Sequence, residues 1–186
     1  MSRRIQPKQN LAGSLLLAHP AMMDPNFRRT VVLLSAHNDE GALGVVLNRP
    51  VGKSLGEFGI EFSQGPLSEI PVFTGGPVND KQIILSAWHA ENSLGMFRLY
   101  FGIDPEKAKE LIASPEGLDV RAFVGHSGWG QGQLEGELEQ NAWIVNPVVP
   151  DLINQLRGVD LWRTILGNIS PEMRFLADAP DDPSKN

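Results

Sequence analysis

Hydrophobic residues in the first half of the chain fall into short runs that are separated by polar turns. Residues 11–18, 30–35 and 42–47 form three such runs, and the second is rich in β-branched residues, which favour strands. Between the last two runs stands Asn38-Asp39-Glu40-Gly41, a sequence typical of a hairpin turn. The pattern predicts that 30–35 and 42–47 are antiparallel neighbours in one sheet.

The rest of the chain alternates between short strand and helix patterns. Further strands are predicted at residues 72–74, 83–88, 96–101, 120–124 and 143–145. Helices are predicted at residues 55–62, 104–113, 134–138, 150–157 and 160–167. Two helices have recognisable starts, because Ser54 and Glu57 form a capping-box pattern and Asp104 precedes a proline. Adjacent strands followed by clustered helices predict an α+β fold rather than regular βαβ repeats.

The length of 186 residues fits one domain. We expect this domain to span residues 11–177, between a flexible N-terminus at 1–10 and a flexible acidic tail at 178–186. No segment approaches the roughly 20 apolar residues that cross a bilayer, and the N-terminal residues lack the pattern of a signal peptide. The chain is therefore expected to be cytoplasmic and to have no membrane partner.

The composition excludes several classes of chemistry. The chain has no cysteine, which excludes disulfides, thiolate metal sites and a cysteine nucleophile. Its 16 basic and 22 acidic residues give a net charge of -6, whereas a DNA-binding domain normally carries a basic stripe. The four histidines, at positions 19, 37, 89 and 126, do not have the spacing of metal ligands. We expect no cofactor, no metal and no direct, specific binding of nucleic acid.

The segment Gly125-His126-Ser127-Gly128-Trp129 begins like the nucleophile elbow of hydrolases. The elbow needs a small residue where this chain has Trp129, and no histidine follows His126 to act as a base. Ser127 is therefore not expected to be a nucleophile. The glycines of this region also suggest a phosphate loop without its lysine, in which exposed backbone N–H groups could bind an anion. We predict a tight glycine-rich turn that Trp129 holds as a buried structural anchor.

Loop segments carry the candidate binding residues. The loop from Asp24 to Thr30 combines a turn aspartate, a rigid proline and two arginines, and Arg29 can pair with a carboxylate of the protein or bind an anionic ligand. We predict that Arg29 shares a groove with Asn48, His126 and Gln133. The full set of candidate groove residues is Arg29, Asn48, Arg49, Gly75, Gly76, His126, Ser127 and Gln133.

The same segments resemble the YqgE/AlgH family of bacterial proteins, from about Leu11 to Gly167. The similar motifs are His19-Pro20, Met23–Val31, Gly41–Pro50, Gly75–Val78, Gly125-x-x-x-Trp129-x-x-Gly132-Gln133-Leu134-Glu135-x-Glu137, Trp143 and Leu161-Trp162-Arg163. This chain has His126 where the family usually has tyrosine. The resemblance implies a mixed, mainly antiparallel, bifurcated sheet that is partly closed into a small barrel and flanked by helices. It implies no activity and no catalytic residues, although some members are labelled as transcriptional regulators of alginate synthesis.

No catalytic set is recognisable in the sequence, since Glu135, Glu137 and Glu139 alternate near a predicted helix and are expected to face solvent. The preferred interpretation is a non-enzymatic regulatory or binding protein that uses the candidate groove for an unknown small molecule or protein partner. If the regulator label of the family applies, we expect an indirect effect on transcription. The alternative is an enzyme, for example a hydrolase, that uses the same loop surface. The sequence leaves the oligomeric state open.

Overall fold

The computed structural model of the protein describes residues 9–91 and 96–180. Its strands are β1 (Leu15–Ala18), β2 (Val31–Asn38), β3 (Gly41–Val46), β4 (Pro50–Ser54), β5 (Pro71–Thr74), β6 (Val78–Glu91), β7 (Met96–Ile103), β8 (Asp119–Gly130) and β9 (Trp143–Asn146). Its α-helices are α1 (Pro105–Ile112), α2 (Gln133–Glu139), α3 (Pro150–Gln155), α4 (Gly158–Ile169) and α5 (Pro171–Asp178), and 3₁₀ turns cover Leu55–Glu57 and Ile60–Phe62. Most of the two predicted flexible ends, namely residues 1–8 and 181–186, lies outside the described residues.

The strands form a continuous sheet that divides at β8. The main order is β4-β5-β8-β3-β2-β1-β9, and β6 joins alongside β8 and carries β7 on its other side. Residues 127–130 of β8 pair with β3, whereas residues 119–124 pair with β6. β5 runs parallel to β8, and the other strand pairs in the described part of the chain are antiparallel. The sheet curls into a half-barrel, and the predicted α+β class is confirmed.

The predicted hairpin is confirmed, because β2 and β3 are antiparallel with Val32 opposite Val46. β1 lies on the other side of β2, and β9 pairs with β1, so that Leu15 faces Asn146 across two strands that are distant in sequence. These central strands are apolar at nearly every position rather than at alternate positions. Such a pattern requires that both faces of the sheet be covered.

Both faces of the central strands are indeed buried. Leu15 belongs to a cluster on one face together with Trp162 of α4. Leu16, its neighbour in β1, belongs to a cluster on the opposite face together with Trp129 and Trp143. A third cluster lies between α1 and the branch formed by β6 and β8. Each fully buried leucine contributes roughly 1.5–3 kcal/mol, so these layers fix the positions of the loops at the strand ends.

The glycine-rich segment 125–130 is a strand, and the prediction of a tight turn there is wrong. These residues extend β8 beyond the predicted end at 124 and pair with β3. Gly125 has a φ of 72°, and a Cβ at this position would lie 2.3 Å from the carbonyl oxygen of Gly76. Glycine is required because the segment Gly75-Gly76 crosses the backbone of β8 at very short range. The turn comes later, at residues 131–132.

The other differences concern element boundaries. The strand predicted at 11–18 begins only at Leu15, and the strand predicted at 83–88 begins at Val78. The capping box forms, with the Ser54 N–H donating to Glu57 Oε2 at 2.9 Å, but it opens a 3₁₀ turn instead of a helix over 55–62. The sequence pattern gave no helix at α5, although the Ser170 side chain caps it by accepting a hydrogen bond from the backbone of the third residue of its first turn.

Candidate functional site

An open cavity of about 260 Å³ lies between the loop that precedes β2 and the start of α4. We call it the arginine cavity, and it is lined by Pro25, Arg28, Arg29, Asn48, Arg49, Gly158 and Val159. Three of the predicted groove residues, Arg29, Asn48 and Arg49, therefore come together here. The sequence did not single out Arg28 within the loop or the first two residues of α4.

The loop that carries Arg28 and Arg29 is held in a compact turn. The carboxylate of Asp24 accepts a hydrogen bond from the Asn26 N–H at 2.7 Å, and its backbone carbonyl accepts one from the Arg28 N–H at 2.8 Å. Thr30 Oγ1 donates to the carbonyl of Phe27 at 2.6 Å. Arg29 itself has a φ of 55°, in the left-handed region that ends such turns. These bonds fix where the two arginine side chains leave the backbone.

Asn48 is a structural residue of the cavity wall rather than a group available to a ligand. Its side chain is 2% exposed, and its Oδ1 accepts a hydrogen bond from the Val31 N–H at 2.9 Å. Its Nδ2 donates to the carbonyl oxygens of Arg29 and Gly158, both at 2.9 Å. An amide nitrogen has two donor hydrogens, so both are used. Asn48 thereby joins the loop, the start of β2 and the start of α4.

Arg49 spans the inside of the same loop. Its guanidinium donates to the backbone carbonyls of Asn26 at 2.5 Å, Arg28 at 3.1 Å and Pro25 at 3.3 Å. Burial, and then the neighbouring charge of Arg28, lower the pKa of Arg49 below its ordinary value, while Asp24 acts in the opposite direction. An arginine pKa lies so far above neutrality that the group stays cationic. Arg49 therefore adds a positive charge to the cavity wall while it holds the loop.

The N-terminus of α4 completes the wall. Gly158 and Val159 are the first residues of this helix, and its N-cap is Arg157. An arginine side chain has no acceptor atom, so it cannot cap the N–H groups of the first turn. A helix N-terminus carries a partial positive charge that favours anions. The cavity wall therefore combines three arginine side chains with this helix end, in a chain whose net charge is -6.

The predicted residues at Gly75, Gly76 and Ser127 have a structural role at the strand crossing. Ser127 is fully buried, and its Oγ donates to the carbonyl of Gly75 at 3.0 Å. A Cβ on Gly76 would lie 2.2 Å from the carbonyl oxygen of His126. His126 itself pairs with Val78 where β8 runs beside β6. These four predicted groove residues do not line the arginine cavity as the described residues define it.

Gln133 also lies away from the arginine cavity, beside Trp129. Trp129 is 5% exposed, and its indole N–H donates to Glu137 Oε2 at 2.9 Å. The indole N–H of Trp143 donates to the same oxygen at 2.7 Å, and Gln133 Nε2 donates to Glu137 Oε1 at 3.0 Å. The ring of Phe27 lies 6.1 Å from that of Trp129 and 5.6 Å from that of Trp143. The residues of the predicted single groove thus lie in separate parts of the fold.

The expectation that all three alternating glutamates face solvent is wrong. Glu137 is half-buried and accepts from two buried indoles, which we call the indole pair. Glu135 Oε1 lies 3.0 Å from Nε2 of the buried His37, whose Nδ1 accepts the Leu11 N–H. Only Glu139 is exposed as expected. The contact of Gln133 with Glu137 was missed, although these residues are four apart on one helix face; no local pattern indicates the tryptophans.

Among residues 9–91 and 96–180, no group of three or more histidine, aspartate or glutamate side chains is placed to hold a metal ion. In the same part of the chain, no helix is long and apolar enough to cross a membrane.

The fold places the chain in a class of α+β proteins with a curled sheet, and solved structures of this class are known. The crystal structure of protein DIP2367 from Corynebacterium diphtheriae matches with a TM-score of 0.71 and 24% identity, over 96% of this chain and 95% of that one. The solution structure of the AlgH protein from Pseudomonas aeruginosa matches with a TM-score of 0.64 and 29% identity, over 97% of this chain and all of that one. The match to DIP2367 supports the fold alone, because its sequence identity is only 24%.

Sequence similarity leads from this class to the family. A UPF0301 protein of Streptomyces coelicolor is 39% identical over 95% of this chain and 96% of its own length. A UPF0301 protein of Xanthomonas campestris is 33% identical over 90% of this chain and 94% of its own length. The profile of the family described as AlgH-like matches residues 15–174. The chain belongs to the AlgH-like family, as the motifs of the sequence had indicated.

Proposed function

We propose that this chain is a non-enzymatic binding protein that takes an anionic group of a small molecule or protein partner into the arginine cavity. The observation that carries the proposal is the convergence of Arg28, Arg29, Arg49 and the N-terminus of α4 on one open cavity. Guanidinium groups present planar donors that match the oxygens of phosphate and carboxylate. A helix N-terminus favours the same ligands.

The hydrogen bonds of Arg49 favour a role in anion binding over a purely structural role. They go to three neutral carbonyl oxygens and not to a carboxylate, so these bonds hold the loop without cancelling the charge. The charge of Arg28 lowers the pKa of Arg49 further. An anion between the two arginines would relieve this repulsion and raise the pKa of Arg49.

The size of the cavity favours a single charged group. About 260 Å³ suits a phosphate or a small carboxylate, and the open side leaves the rest of the ligand outside. Some members of the family are labelled as transcriptional regulators. If this chain has a regulatory effect on transcription, that effect would act through this ligand or through a protein partner. Direct reading of DNA is not part of the proposal, because the chain is acidic and few counterions would be released.

Isothermal titration calorimetry of the full chain with inorganic phosphate, pyrophosphate and citrate, at fixed ionic strength, tests the proposal. We expect binding of at least one of these anions. Arg28→Gln should weaken that binding roughly 10- to 100-fold, since hydrogen bonds to charged groups contribute about 1.5–3 kcal/mol.

The matched control is Arg98→Gln, because Arg98 lies on β7 and pairs with Glu116 at 3.1 Å, outside the cavity lining. It removes the same charge from the protein and should leave the affinity unchanged. Equal weakening by both variants would mean that net charge, and not the cavity, governs binding. Absence of binding for all three anions would contradict the proposal.

A further inference from the structure

A second, smaller cavity lies beside the arginine cavity. Its volume is about 100 Å³, and Arg28 and Arg29 line it as well as the arginine cavity. The rest of its wall is formed by apolar residues, so we call it the apolar cavity. Among these residues are Met22, Met23, Trp162 and Leu176. The two arginines therefore border the proposed anion site on one side and an apolar space on the other.

Arg29 and Trp162 form a fixed part of the wall of the apolar cavity. The guanidinium carbon of Arg29 lies 5.7 Å from the centre of the Trp162 ring, and Nη2 of Arg29 donates to the carbonyl oxygen of Ala179 at 3.1 Å. The Trp162 indole N–H donates to the carbonyl oxygen of Ala18 at 2.8 Å, and the residue is buried. These bonds hold the ring and the guanidinium in place before a ligand binds. A preorganised wall lowers the entropy cost of binding.

The methionines and Leu176 form an adaptable part of the same wall. Met22 and Leu176 are half-buried, and Met23 is 70% exposed. A methionine side chain is unbranched and polarisable, so it fits hydrocarbon groups of different shapes. Met23 directly precedes the loop that carries Arg28, so one short segment offers apolar and cationic groups side by side. This combination suits a ligand that has an anionic end and an apolar end.

We propose that the ligand is a small organic anion whose phosphate or carboxylate lies in the arginine cavity and whose short hydrocarbon chain enters the apolar cavity. The inference rests on the proposed function and names the class of its ligand. A group of the size of a water molecule fills about 30 Å³, so the apolar cavity has room for roughly three to four carbon atoms. Carbon atoms beyond that number remain in water and add nothing to the affinity.

The length of the hydrocarbon chain should therefore govern affinity over a limited range. Burial of one methylene group should tighten binding about two- to four-fold, the lower value applying at the exposed rim. We expect this gain for each carbon from methyl phosphate to butyl phosphate, and no further gain from butyl to hexyl phosphate. The heat-capacity change of binding should become more negative over the same range, because it reports the burial of apolar surface.

Isothermal titration calorimetry of the full chain with methyl, ethyl, propyl, butyl and hexyl phosphate, at several temperatures, tests the inference. A parallel series from acetate to hexanoate shows which anionic group is preferred, and the series that binds should show the same dependence on chain length. A level affinity across that series would overturn the inference and leave the anion site intact. A rise that continues to the longest chain would also overturn it, since it would indicate unspecific apolar contact. If no member of either series binds, the proposed function fails.

Two variants test whether the chain enters the apolar cavity. Leu176→Trp fills the space and should abolish the dependence on chain length, whereas methyl phosphate should bind as it does to the wild type. Phe175→Trp is the matched control, because Phe175 is the preceding residue of α5, is exposed and does not line the cavity as the described residues define it. Equal dependence on chain length in both variants would overturn the inference.

Met23→Gln decides the matter if Leu176→Trp does not fold. Met23 is exposed, so this substitution should leave the fold intact and lower the gain in affinity per carbon. Met96→Gln is its control, since Met96 is an exposed methionine of β7 outside the cavity lining and should leave the gain unchanged. An unaltered gain in Met23→Gln would contradict the inference.

Discussion

Glu137 offers the sharpest test of the architecture, because one of its carboxylate oxygens serves both indoles of the indole pair. Glu137→Ala removes the acceptor of the Trp129 N–H at 2.9 Å and of the Trp143 N–H at 2.7 Å. Both rings are nearly fully buried, at 5% and 4% exposure. Two donors would then lie against the sheet without a partner.

The magnitude follows from these two donors. A hydrogen bond to a charged group contributes about 1.5–3 kcal/mol, and a buried donor that loses its partner costs roughly 1–3 kcal/mol. Glu137 is half-buried, so water can form hydrogen bonds with the indole N–H groups in the variant and offset part of the lost stability. We expect the free energy of unfolding to fall by roughly 2–4 kcal/mol. For a chain of this size each kilocalorie lowers the melting temperature by about 2–4 °C.

The assay is urea unfolding followed by tryptophan fluorescence, with thermal melts as a second measurement. Glu139→Ala is the control, because Glu139 is an exposed glutamate on the same helix and the substitution changes helix propensity in the same way. It should change the free energy of unfolding by less than about 0.5 kcal/mol. If Glu137→Ala is as stable as Glu139→Ala, the two indole hydrogen bonds do not stabilise the fold.

Two further predictions concern residues of the predicted groove. Asn48→Ala should lower the free energy of unfolding by roughly 2–4 kcal/mol, because three backbone groups lose a buried hydrogen-bond partner. The control is Asn168→Ala, which changes an exposed residue of α4 and should leave the free energy of unfolding unchanged. Equal urea midpoints of the two variants would refute this prediction. Ser127 should not react with a fluorophosphonate probe, since its buried hydroxyl donates to Gly75. Labelling that disappears in Ser127→Ala would contradict this.

Elements with local determinants were predictable from the sequence. The β2–β3 hairpin follows from two apolar runs around a polar turn, and α1 follows from Asp104, whose side chain accepts the Lys107 N–H at 2.7 Å. The extent of β8 was not predictable, because its glycines are typical of a turn. Their actual cause is the crossing of Gly75-Gly76, a contact between segments that are distant in the chain. The parallel pairing of β5 with β8 has the same non-local origin.

The candidate site was predictable only in part, for a related reason. Arg29 was identified from the distinctive composition of its loop and Arg49 from its position in a separate loop segment, and the structure places both at the arginine cavity. The contribution of Gly158 was missed, since nothing in the local sequence says which loop the start of α4 meets. His126 was assigned to the same groove from the composition of its glycine-rich segment, whereas the strand pairing places it beside Val78.

The pairing of β1 with β9 has a consequence for synthesis of the chain. Leu15–Ala18 leaves the ribosome early, whereas its partner Trp143–Asn146 appears only near the end. At about 5–20 residues per second, the delay is on the order of ten seconds. During that time the outer edge of an all-apolar strand has no partner, and such edges are templates for aggregation. A nascent chain stalled before residue 143 should therefore depend on chaperones that shield Leu15–Ala18, and the finished chain should not.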